Sequence, residues 1–170
     1  MQLIPLGCKG TQCPRMTYLW VMPQITAPVE LNVPKILLIV EDQILLAMVL
    51  KDELEEGGYR VLELAVGHQE ALGFAREVKP DLALVNIELA DGDDGVALAR
   101  DLKALGIPVL FISGQPDRAR LAKAVGIASL AKPYSPSDMV DAVGYLFRHA
   151  DGDESRPAPA RLELFDAVSP

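Results

Sequence analysis

Ile36-Leu37-Leu38-Ile39-Val40-Glu41-Asp42 is the stretch on which the fold turns. Five apolar residues in unbroken succession have the length of a strand. They lack the alternation of a strand with one wet face, so they read as a strand buried on both faces of a parallel sheet. The run stops at two acids. Beyond it, Leu46, Val49, Leu50 and Leu54 recur at helical spacing, and Gly57-Gly58 supplies a helix stop. The same strand–helix alternation then recurs as Val61–Ala65 with a helix over His68–Val78, Leu82–Asn86 with Val96–Leu105, Val109–Ser113 with Asp117–Val125, and Ser129–Ala131 with Ser135–Arg148. Lys79-Pro80, Gly106 with Pro108, and Gly126 punctuate the units, and Ser135-Pro136 reads as an N-cap followed by proline at the first helical position. Five such units between residues 35 and 150 predict a doubly wound, five-stranded parallel sheet with helices on both faces.

The flanks read differently. Residues 1–34 carry Pro5, Pro14, Pro23, Pro28 and Pro34 without strand or helix periodicity and are expected to form a poorly ordered arm. Met16 and Met22 lie inside it, which leaves open how much of the arm is translated. Residues 151–170 start Asp-Gly-Asp-Glu, carry Pro157 and Pro159, and end with Leu162, Leu164, Phe165 and Val168. They read as an acidic tail, either disordered or serving as a short peptide that docks on this protein or on a partner. The 20 residues from Asp151 have no room for a DNA-binding helix-turn-helix or an enzymatic output domain.

A net charge of −8 and a pI near 4.7, with no cluster of Lys and Arg, argue against a nucleic-acid face and for protein partners. No apolar stretch reaches the roughly 20 residues a membrane helix needs. The N-terminus also lacks the basic-then-apolar order of a secretory signal, so a cytoplasmic protein is expected. Cys8 and Cys13 have no second pair and no neighbouring His with which to complete a zinc site. His68 and His149 read as surface residues on helices.

In an open parallel sheet the ligand site lies beyond the carboxyl ends of the strands, where strand order reverses. There the first strand delivers Glu41-Asp42, the third Asn86, the fourth Ser113-Gly114 and the fifth Lys132-Pro133. Two acids, an amide, a hydroxyl and an amine from four strand ends form a polar set that helix capping by the acids alone does not explain.

The set resembles the receiver domain of bacterial two-component response regulators, over about residues 35–150. The resemblance implies a flavodoxin-like fold and a role in phosphorelay signalling through a histidine kinase, phosphotransferase or other regulator. It also implies that the protein is not an enzyme in its own right. In that family the acidic pair, here Glu41 and Asp42, holds magnesium, and an aspartate ending the third strand accepts the phosphoryl group. The hydroxyl after the fourth strand, here Ser113, binds that group. The lysine of the Lys-Pro pair, here Lys132, salt-bridges it, and the Lys132–Pro133 bond is expected to be cis. Gly95 and the acidic loop Asp91–Asp94 match the turn after the acceptor strand. The family's partner face implies contacts through Leu121, Tyr134, Val140, Tyr145 and Phe147.

Three departures matter. Asn86 stands at the acceptor position, and an amide has neither the charge nor the nucleophilic carboxylate of aspartate. Phosphorylation there is therefore not expected, and the magnesium site formed with Glu41, Asp42 and the backbone of Glu88 is expected to be weak. Ser129 stands where many receivers carry a switch aromatic. The stretch from Ser113 to Lys132 is about one helical turn short. The leading expectation is a stand-alone pseudo-receiver acting by protein–protein contact. Two others compete with it. One is a response regulator phosphorylated on a non-standard residue such as Glu88 or Asp91. The other is a small flavodoxin-like enzyme or nucleotide binder, against which the missing glycine-rich phosphate loop speaks.

Overall fold

The computed structural model of the chain describes residues 33–90 and 94–165. The rest of the expected N-terminal arm, with Cys8 and Cys13, lies outside these residues, as do Asp91 and Val168. Six strands and five helices follow in the order β1 (Ile36–Val40), α1 (Ile44–Glu56), β2 (Arg60–Val61), α2 (His68–Glu77), β3 (Leu82–Asn86), α3 (Gly95–Ala104), β4 (Val109–Ser113), α4 (Pro116–Leu121), β5 (Ala128–Ala131), α5 (Pro136–Ala150) and β6 (Leu162–Leu164). The sheet runs β2-β1-β3-β4-β5-β6. The first five strands are parallel and β6 is antiparallel to β5.

The unbroken apolar runs are explained by two cores. Leu38, Val40, Ala83, Val85, Val109 and Phe111 face α2, α3 and α4, while Leu37, Ile39, Leu82, Leu84, Leu110 and Ile112 face α1 and α5. Successive strand residues point to opposite faces, and since both faces are covered both sets must be apolar. On α1 the buried stripe is Ala47, Leu50 and Leu54, whereas Val49 from the expected stripe is exposed. α5 begins with a complete capping box: Ser135 Oγ accepts from the Asp138 N–H, and the Asp138 side chain accepts from the Ser135 N–H.

Three expectations are corrected. The second strand is not continuous over 61–65: the Leu62 N–H bonds to the Leu37 carbonyl and the Ala65 N–H to the Ile39 carbonyl. Three steps on one chain thus match two on the other, leaving one residue unpaired as a bulge, and β2 proper ends at Val61. The fourth helix ends at Leu121 rather than Val125. There, tighter bonds from Lys123 N–H to the Arg120 carbonyl and from Val125 N–H to the Ala122 carbonyl lead into Gly126. At Gly126 a Cβ would lie 2.5 Å from the Phe111 ring. Finally, the sheet has six strands, not five. The expected tail contains β6, whose apolar Leu162 and Leu164 reach the α1–α5 core along the outer edge of β5.

Candidate functional site

The strand order reverses between β1 and β3, and the carboxyl ends of these strands converge on one buried polar cluster. Asn86 closes β3 and is 3% exposed, while Glu41, one residue past β1, is fully buried. The Asn86 Nδ2 donates to Glu41 Oε1 at 3.0 Å, to Asp42 Oδ1 at 3.1 Å and to the Glu88 carbonyl at 2.8 Å. Its Oδ1 accepts from the Glu88 N–H at 3.3 Å. Three acceptor oxygens on one side and a backbone donor on the other fix the orientation of the amide. Two N–H bonds are shared among three oxygens, so an NH₂ group stands at the point where they converge.

Lys132 Nζ donates to the second oxygen of Glu41 at 3.2 Å, so the Glu41 carboxylate is bound on both sides. Burial holds the Glu41 carboxyl above the usual carboxylate range, against the opposing pull of Lys132. The Lys132–Pro133 peptide is cis, as expected. Tyr134, the next residue, turns its hydroxyl inward. Burial, and then the nearby Glu41 charge, raise its pKa, and the hydroxyl has no partner among the described residues.

Of the residues singled out in the sequence, the structure joins Glu41, Asp42, Asn86, Lys132 and the backbone of Glu88 into one network. Ser113 is buried on the neighbouring strand, but its hydroxyl donates to the Gln115 carbonyl at 3.0 Å and accepts from the Gln115 N–H at 2.9 Å, closing a local turn. The Glu88 carboxylate points outward to the side-chain amide of Gln115. Gln115 is therefore a residue that sequence reading missed: it ties the ends of β3 and β4 together, and a lone glutamine in a loop gives no periodic signal. Arg118 was also missed; it pairs with Asp94 at 3.1 Å, the residue that caps α3 through the Val96 N–H. Gly95 is required for a steric reason, since a Cβ there would lie 2.3 Å from the Asn86 carbonyl oxygen.

Of the expected partner-face residues, Leu121 is 88% exposed but Tyr145 is core. Phe147 stacks on Tyr59 at 5.9 Å, and Tyr134 and Val140 pack on the same cluster. His149 stacks on Tyr145, and His68 bonds Asp101 at 2.9 Å.

A family model described as the response regulator receiver domain matches residues 37–144. The chain belongs to this family. The receiver is 39% identical over 106 residues to the phyllosphere-induced regulator PhyR of Methylorubrum extorquens, a match covering 61% of this chain and 40% of that protein. It is 34% identical over 121 residues to the transcriptional regulatory protein PdtaR of Mycobacterium tuberculosis, covering 69% and 59% respectively. The chain thus spans about half the length of these curated relatives. Among solved structures it is similar to a CheY-like receiver domain protein from Methanospirillum hungatei, with a TM-score of 0.63 and 26% identity over 71% of this chain and 98% of that one. Among the described residues, no helix of the receiver is long and apolar enough to cross a membrane, and no group of three or more His, Cys, Asp or Glu is placed to hold a metal.

Proposed function

We propose that this receiver is a pseudo-receiver: a signalling module that works by binding other signalling proteins, without aspartyl phosphorylation at the acceptor position, which Asn86 fills. The observation that carries the reading is the Asn86 amide, hydrogen-bonded at once to Glu41, Asp42 and the Glu88 carbonyl. In phosphoryl transfer to a carboxylate, an anionic oxygen attacks in line while cations offset charge on the equatorial oxygens. The Asn86 amide offers no anionic nucleophile. The donor set also does not fit magnesium as it stands. The three oxygens that would ligate the ion already receive the amide hydrogens, and rotating the amide would set its NH₂ against the Glu88 N–H.

What the residues do instead is hold a fixed arrangement. Lys132 offsets the charge of the buried Glu41 carboxylate and Asn86 donates a hydrogen bond to it, tying the ends of β1, β3 and β5 without an ion. Glu88 as an alternative acceptor is disfavoured, because its carboxylate is engaged by Gln115 outside the cluster.

The test is intact mass after incubation with acetyl phosphate and magnesium, on the native chain and on Asn86→Asp. The expected result is a phosphoryl adduct on the aspartate variant alone. An adduct on the native chain, located by fragmentation, would overturn the reading in favour of another acceptor.

A further inference from the structure

β6 is attached to the domain in the manner of a bound peptide. Its residues pair with β5 as Leu162↔Leu130, Glu163↔Ser129 and Leu164↔Ala128. Two flanking bonds extend the ladder, from the Ala131 N–H to the Arg161 carbonyl at 3.2 Å and from the Phe165 N–H to the Ile127 carbonyl at 2.9 Å. Leu162 is buried, Leu164 packs on the α1–α5 core, and Phe165 packs on the opposite one. Between the two leucines, Glu163 accepts from Arg120 Nε at 2.8 and 3.0 Å, and a second Arg120 nitrogen is held by Asp117 at 3.0 Å.

The segment that leads to β6 is a tether. Residues 151–161 are exposed apart from a half-buried Pro159. Up to residue 160 the hydrogen bonds of the tether stay close in sequence, among them Gly152 N–H to the His149 carbonyl, Asp153 N–H to the Arg148 carbonyl, Ser155 N–H to Asp153 Oδ1 and Leu162 N–H to the Pro159 carbonyl. A backbone ladder is indifferent to sequence, and specificity in strand addition comes from the pockets for alternate side chains. The seat therefore asks for three things: an apolar residue, an acid opposite Arg120, and a second apolar residue.

We propose that the outer edge of β5, together with Arg120, is a strand-binding site for an extended apolar–acidic–apolar segment of a partner protein, and that β6 is its tethered occupant, which the partner displaces. The site uses none of the side chains of the Asn86 cluster and stands whether or not Asn86 takes phosphate. A second copy of this chain is the weaker occupant. Its β6 offers the same contacts, whereas a short exposed tether gives the resident strand an effective concentration on the order of millimolar. A copy in micromolar solution therefore loses by about a thousandfold. A partner protein succeeds by adding contacts of its own beside the seat, where the apolar side chain of Leu121 is 88% exposed.

The test is fluorescence anisotropy with a labelled peptide of residues 159–166, Pro-Ala-Arg-Leu-Glu-Leu-Phe-Asp, titrated with the full chain. The native chain should show no binding below about 100 µM, because the tethered strand outcompetes the peptide. Leu162→Asp unseats β6 without touching the parallel strands and should bind at least about tenfold more tightly. Leu164→Asp, altered at a partly exposed side chain of the same strand, gives the same comparison if Leu162→Asp proves unfolded by circular dichroism. Adding Arg120→Glu to the unseated chain should abolish binding of this peptide and restore it for a peptide with arginine in place of the glutamate. Equal binding by native and unseated chains, no binding by either, or indifference to the charge at position 120 would each overturn the proposal.

Discussion

Replacing Asn86 by aspartate should convert a cluster that is complete by itself into one that needs a cation. In the native chain the amide nitrogen lies 3.0 Å from a Glu41 oxygen and 3.1 Å from an Asp42 oxygen. An anionic oxygen at that point would repel each of them, by about 5 kcal/mol per pair at 3 Å and an effective dielectric of about 20. Lys132, 3.2 Å from the other Glu41 oxygen, and movement of the half-buried Asp42 absorb much of this. The net expected loss is about 3 kcal/mol. For a domain of this size that lowers the melting temperature by about 10 °C. Magnesium at about 10 mM, binding the variant with a dissociation constant of about 1 mM, should return about 1.4 kcal/mol, or roughly 5 °C. The assay is thermal unfolding followed by circular dichroism in EDTA and in magnesium, on both chains. The reasoning is refuted if the variant in EDTA melts within about 2 °C of the native chain. It is refuted equally if the native chain gains as much from magnesium as the variant does.

Three further outcomes can be checked by urea denaturation. Lys132→Met removes the cation from a fully buried carboxylate and should cost about 2–3 kcal/mol, less than for a fully buried pair because the lysine side chain is 25% exposed. Gly95→Ala should cost at least about 3 kcal/mol, since the added methyl would lie 2.3 Å from the Asn86 carbonyl oxygen, with β3 backbone rather than a flexible side chain in its way. Asp138→Asn probes the cap of α5. Hydrogen bonds from the Ser135 backbone and hydroxyl hold the Asp138 carboxyl below the usual range. Its contribution is therefore present above the unfolded carboxylate range and lost as pH falls through the lowered folded value. The gap between native and variant midpoints should be open at neutral pH and close in acid; a gap independent of pH would contradict the assignment.

The doubly wound architecture was legible because the central strands β1, β3 and β4 are buried on both faces, which forces unbroken apolar runs such as Ile36–Val40 and Leu82–Val85 and leaves few other readings. The polar residues at the strand ends were legible for a related reason: Glu41, Asn86 and Lys132 interrupt those runs where burial would otherwise exclude them. The sequence did not reveal that the Asn86 nitrogen meets three oxygens at once, because that depends on the register between β1 and β3. Nor did it reveal that Ser113 turns to Gln115. β6 was hidden for an energetic reason. Three residues after a Pro-containing acidic stretch carry no periodicity of their own, and they become a strand only because β5 offers an edge. The α4 boundary was misplaced because helical spacing continues past Leu121 while the backbone tightens toward Gly126.

The hold on Asn86 also bears on how the protein ages. Asparagine side chains turn into aspartate spontaneously when the following backbone nitrogen swings onto the amide carbon and closes a five-membered ring. Here that nitrogen belongs to Ile87 and is bonded to the Ile112 carbonyl at 3.0 Å, while the amide it would attack is itself pinned at both ends. Ring closure would have to tear the end of β3 from β4, and the β-branched Ile87 side chain crowds the approach further. Deamidation at this position is correspondingly slow, so a molecule made with asparagine here does not drift with time into one that carries an acceptor carboxylate.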